Sequence, residues 1–141
     1  MPRLLSIDYG RRRTGIAVTD PLQIVPGGLC TVPTHTLLDF LRDYTRREAV
    51  ERVIIGLPTQ TDGTPSENQA RVRQFVARLK KEMPQLPVTY YDERFTSRLA
   101  HRAMLDGGLP RMKRRDKALV DEISACIILQ DYMESRQRYS E

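Results

Sequence analysis

Long apolar runs are missing from this chain: no stretch approaches the roughly 18 residues that a membrane-spanning helix needs. A secretory leader is equally hard to find, because the N-terminus has neither an extended apolar segment nor a small-residue cleavage site. A cytoplasmic protein with no membrane contact is the expectation. Cysteine is scarce too. Cys30 and Cys126 lie far apart and form no CxxC or Cys/His pattern, which argues against a structural zinc site. A disulfide is unnecessary in a reducing compartment, so both read as small core hydrophobes. Internal repeats, low-complexity segments and a domain boundary are also lacking. The expectation is therefore one domain over 1–141, with residues 136–141 fraying.

What is present fits a soluble globular core. The 141 residues are 40% hydrophobic and 29% charged, enough to bury one core of useful size. Lysine and arginine number 23 against 18 acids, and the excess is unevenly placed. Arg11, Arg12 and Arg13 form one cluster; Arg111, Lys113, Arg114, Arg115 and Lys117 form another. Basic clusters in loops suit a polyanion such as nucleic acid. They suit a merely solvated surface equally well, and charge alone does not separate the two.

Leu4–Ile7 reads as a buried strand, and Ile16–Thr19 as its partner across an arginine loop bracketed by Gly10 and Gly15. Gly27–Pro33 is a third strand. Leu37, Leu38, Leu41, Tyr44 and Thr45 then recur at helical spacing. "ERVIIGLP" is a short apolar strand, and Val72, Phe75, Val76 and Leu79 mark a second amphipathic helix. "PVTYYDE" is another strand, with at least one of Tyr90 and Tyr91 in the core. A short helix over Ser97–Leu105 and a last helix from about Lys117 to Glu134, capped by Asp116, complete the order. Hairpin-linked strands followed by crossover units predict an α/β fold whose mixed sheet is antiparallel first and parallel afterwards.

Three acids stand at element ends. Asp8 follows the first strand, Asp92 and Glu93 follow "VTYY", and Asp121 lies early in the last helix beside an apolar face of Val120, Ile123 and Ile127, with Glu122 turned toward water. Open α/β sheets build their sites outside strand ends. Converging carboxylates repel unless cations neutralise them, and hard oxygen-seeking ions such as Mg2+ or Mn2+ fit. Two such ions can activate water and stabilise a leaving oxygen in phosphodiester cleavage, while basic loops hold the backbone. Each acid also has an ordinary use: Asp8 and Asp92 as turn or cap residues, Glu93 paired with Arg94 or Arg98, Asp121 as a charge favourable to a helix N-terminus. His35 and His101 are isolated and read as surface residues.

Four segments, "IDYGRRRTGIAV", "VIIGLPTQTDGTPSENQARVRQF", "YYDERFTSRLA" and "KALVDEISACIIL", together resemble the YqgF/RuvX family, described as pre-16S rRNA nucleases and Holliday junction resolvase homologues. The resemblance runs from about Leu4 to Tyr132. It implies an RNase H-like fold, catalytic and metal-holding roles for Asp8, Glu93 and Asp121, and a metal-dependent endonuclease acting on structured nucleic acid. It also implies trimming of the 5′ end of pre-16S rRNA in ribosome biogenesis. Asp92 is a supporting candidate, because successive strand residues face opposite ways. Where related resolvases carry a further acid one turn before the last, this chain has Ala118. Arg11, Arg12, Arg13, Lys113, Arg114, Arg115 and Lys117 are the expected phosphate contacts. Asn68 and Gln69 serve the helix start or reach substrate.

Three rival readings stay open. An actin-like ATPase also begins with strand, aspartate, glycine and hairpin, but it needs two such domains. A non-catalytic RNA-binding or assembly factor would keep the acids for folding. A four-way DNA junction resolvase would need a homodimer with two-fold related sites, whereas RNA trimming is compatible with a monomer.

Overall fold

Runs of aliphatic and β-branched residues build one mixed sheet. The computed structural model describes residues 2–57, 67–92 and 117–139, the side chains of 117, 118 and 137–139 excepted. Its strands are β1 (Arg3–Asp8), β2 (Arg13–Thr19), β3 (Pro26–Pro33), β4 (Val50–Leu57) and β5 (Val88–Asp92). A 3-10 turn (Thr34–Thr36) leads into helix α1 (Leu37–Arg47); α2 (Glu67–Glu82) and α3 (Lys117–Tyr139) follow later in the chain. Strand order across the sheet is β3-β2-β1-β4-β5. β1 and β3 both run antiparallel to β2, whereas β4 pairs in parallel with β1 and β5. The expected switch from antiparallel to parallel pairing thus falls at β1. The expected helix over Ser97–Leu105, the Asp116 cap and His101 lie outside the described residues.

Alternation along each strand divides the sheet into two unlike faces. Leu5, Ile7, Ile16, Val53 and Ile55 join Leu37, Leu38, Leu41 and Tyr44 of α1 and Val72, Phe75, Val76 and Leu79 of α2 in the larger core. Leu4, Ala17 and Ile54 meet Ala125, Ile128 and Leu129 of α3 in a smaller one. Cys30 packs against the first core and Cys126 against the second, both half-buried and free. Burial raises each thiol above its ordinary pKa, with the Glu122 charge adding to the rise at Cys30. They behave as the small hydrophobes the spacing implied.

Three sequence expectations need correction. The last helix continues to Tyr139, past its expected end near Glu134 and through much of the stretch expected to fray, because nothing in that sequence stops it. β2 starts at Arg13 rather than Ile16, so Gly15 lies inside the strand and does not close the loop. The β2–β3 ladder extends back to Arg13 opposite Pro33, and it holds the chain extended through the glycine. In α3, the residues buried against the sheet are Ser124, Ala125, Ile128 and Leu129, whereas Val120, Ile123 and Ile127 are half-buried. The helix is apolar around most of its circumference there, so periodicity alone does not choose a face. Small residues choose it, because only they let the helix axis approach the sheet closely. Rotation of the helix also turns Glu122 inward over β3, where its Cβ would lie 3.4 Å from a Cβ placed on Gly28.

Candidate functional site

The site forms where β1 ends. Leu4, Ser6 and Asp8 share the face of β1 that looks toward α3. Ser6 is fully buried, and its Oγ donates a 2.6 Å hydrogen bond to the carbonyl of Ala125. That bond fixes the height of α3 along the strand. One helical turn earlier in α3 stands Asp121. Opposite Asp8 in the ladder is Gly15, at the ~4.5–5.5 Å separation of antiparallel neighbours. A Cβ added to Gly15 would sit 2.1 Å from the Asp121 carbonyl oxygen and 2.9 Å from its Cβ. Glycine is therefore required here for close approach rather than for a turn. One glycine has Asp8 as its strand neighbour and Asp121 as its helix neighbour. Two carboxylate residues separated by most of the chain meet there.

The arginine loop borders this point and is held rigidly. Thr34 supplies three bonds: its N–H donates to Arg12 O (3.0 Å), its hydroxyl donates to Gly10 O (2.7 Å), and the same hydroxyl lies 2.9 Å from Thr14 Oγ1. From the other side, Asn68 in the first turn of α2 donates from Nδ2 to Tyr9 O at 2.8 Å. The Tyr9 ring meets Phe75 at 5.3 Å. Gly10 is needed because a Cβ there would strike Arg13 O at 2.3 Å. Arg11 and Arg12 are exposed. Arg13, half-buried, donates from Nε to Asp121 Oδ2 in an ion pair. Gly10, the three arginines and Asp121 line an open cleft of about 240 Å3.

Other expected residues separate into distinct groups. Asp92 pairs in register with Leu57, which packs toward the α1–α2 core, so it stands on the sheet face opposite Asp8. Glu93, Lys113, Arg114 and Arg115 lie outside the described residues, and Lys117 is placed only as the first backbone position of α3. Tyr90 packs against the larger core and Tyr91 against the smaller. His35 is exposed in the 3-10 turn. Asn68 braces the Tyr9 backbone, a use the sequence reading did not foresee. Ser6, Gly15 and Thr34 were likewise missed. For Ser6 and Gly15 the available signal was the small residues Ser6 of β1 and Gly15 and Ala17 of β2 on one face of the sheet, with Ser124 and Ala125 together in the last helix.

Asp8 and Asp121 offer oxygen donors only, the chemistry that hard divalent ions select. Gly15 lets the Asp121 backbone lie directly against the strand neighbour of Asp8, and any Cβ there would push it away. The residues present fit such an ion. Among the described residues no group of three or more His, Cys, Asp and Glu side chains forms; the third expected donor, Glu93, is outside them.

Comparison with known proteins identifies the family and the fold. Residues 2–135 match the RuvX family, described as Holliday junction resolvase. A Porphyromonas gingivalis protein is 60% identical over 138 residues, covering 98% of this chain and all of that protein. A Bacteroides fragilis relative is 58% identical over 137 residues, 97% of this chain and 99% of its own length. Both carry the name "Putative pre-16S rRNA nuclease". T. thermophilus RuvC in complex with a Holliday junction substrate superposes with a TM-score of 0.55 at 18% identity, covering 96% of each chain. The fold is accordingly RNase H-like. With a family match over nearly its whole length and a relative 60% identical to it, the chain belongs to the RuvX family.

Proposed function

We propose that this protein is a divalent-metal-dependent endonuclease that cuts phosphodiester bonds in structured RNA, trimming the 5′ end of pre-16S rRNA in the cytoplasm. The observation that carries the reading is the meeting of Asp8 and Asp121 across Gly15, beside an arginine-lined cleft. Asp8 and Asp121, joined by Glu93, would hold Mg2+ or Mn2+. When bound, such ions polarise the scissile phosphate and lower the pKa of an attacking water. Arg11 and Arg12, exposed at the cleft, bind the sugar–phosphate backbone without reading bases, with Lys113, Arg114, Arg115 and Lys117 as further contacts. The choice of ribosomal RNA is supported by the names of the two bacterial relatives.

The test is cleavage of a pre-16S 5′ leader transcript and of a four-way DNA junction in Mg2+ or Mn2+. Asp8→Asn and Asp121→Asn should each slow RNA cleavage at least about 100-fold, on the order of 3 kcal/mol of lost transition-state stabilisation. An Asp8→Asn protein that cuts as fast as wild type overturns the reading. The family description favours a second reading, a junction resolvase. That reading requires a two-fold symmetric dimer and symmetric junction cutting, so a monomer that cuts only RNA dismisses it. Binding of RNA without cleavage under every metal condition points instead to an assembly factor.

A further inference from the structure

We propose that Arg13 is the resident counter-ion of Asp121 and exchanges places with the divalent ion, so that metal binding releases its guanidinium toward a substrate phosphate. This rests on the metal-site reading given above. Arg13 was expected to be a phosphate contact like its two neighbours, and its placement sets it apart. Arg11 and Arg12 are exposed, while Arg13 spends its charge on Asp121.

The two partners differ in freedom. The Asp121 side chain is 19% exposed, and its backbone is locked against Gly15 and, one turn on, by the Ser6–Ala125 bond. The Arg13 side chain is 42% exposed and hangs on a long flexible stem at the mouth of the cleft. When the pair separates, the guanidinium is therefore the part that moves. A cation and a guanidinium compete for the same carboxylate oxygen, and each repels the other nearby. A half-exposed ion pair is weak enough for a multiply ligated dication to displace. The released arginine stands a short swing from the phosphates that Arg11 and Arg12 hold. The occupied site would thus gain a third phosphate contact that the empty site withholds.

Calorimetric titration of the full chain with Mn2+, without nucleic acid, tests the exchange. Arg13→Gln should bind Mn2+ about five-fold more tightly than wild type, about 1 kcal/mol, while Arg13→Lys, which keeps the charge, stays near wild type. A second readout is the salt dependence of binding to a structured RNA. Arg13→Gln should lower the slope by about one in Ca2+ and leave it unchanged in EDTA. Mn2+ binding that is abolished by Asp8→Asn but unchanged or weakened by Arg13→Gln overturns the exchange and leaves the metal site standing. Failure of both wild type and Arg13→Gln to bind Mn2+ overturns both. A salt slope lowered equally in EDTA and Ca2+ makes Arg13 an ordinary phosphate contact and also ends the proposal.

Discussion

The two faces of the sheet solve different problems. Toward α1 and α2 the chain places large side chains: Leu41, Tyr44, Phe75, Leu79, Ile7 and Ile55 fill a deep core. Toward α3 it places Ser6, Gly15, Ala17 and Gly28, opposed by Ser124 and Ala125, around a short row of Leu4, Ile54, Ile128 and Leu129. Bulky residues bury apolar area and so supply stability. Small residues give up area and gain proximity, which brings the Asp121 backbone onto β2. One face holds the fold together, and the other brings the Asp121 backbone against Gly15, the ladder partner of Asp8.

This contrast is breakable by substitution, and the largest effect belongs to the thick face. Leu41→Ala should cost about 2–5 kcal/mol of unfolding free energy in urea titration, yet leave Mn2+ affinity and cleavage unchanged well below the melting temperature. Gly15→Ala should cost less stability, about 1–3 kcal/mol. It should nevertheless abolish Mn2+ binding, because the helix must retreat from β2 and take Asp121 with it. A Gly15→Ala protein with wild-type metal affinity would show that proximity is not the purpose of the thin face. Ser6→Ala is the mildest probe. It should remove about 1 kcal/mol, since the Ala125 carbonyl keeps its helical partner, and it should weaken Mn2+ binding only slightly.

Legibility in the sequence followed the same division. α1 and α2 were readable because their apolar residues recur on one stripe, and Leu37, Leu38, Leu41, Tyr44, Val72, Phe75, Val76 and Leu79 are all buried. α3 was not readable in the same way. Its segment from Ile123 to Leu129 is apolar on nearly every side, so the expected face was rotated away from the one that Ser124 and Ala125 press against the sheet. Asp8 and Asp121 could be named from their positions at element ends and from family likeness. The partnership of Asp121 with Arg13 could not, and neither could the bracing of the arginine loop by Thr34 and Asn68. Gly15 was assigned to a turn because glycine before a strand usually marks one. Its true constraint comes from a helix more than a hundred positions away.

The sequence by itself determined the order of the described elements, the change from antiparallel to parallel pairing, and the kind of side-chain chemistry available, because periodicity and residue type are local properties. Tertiary structure decided which face of α3 meets the sheet, that Asp8 and Asp121 share one glycine, and that one arginine of three is taken up by a carboxylate. Those outcomes depend on how closely two backbones approach. No short window of sequence records that distance.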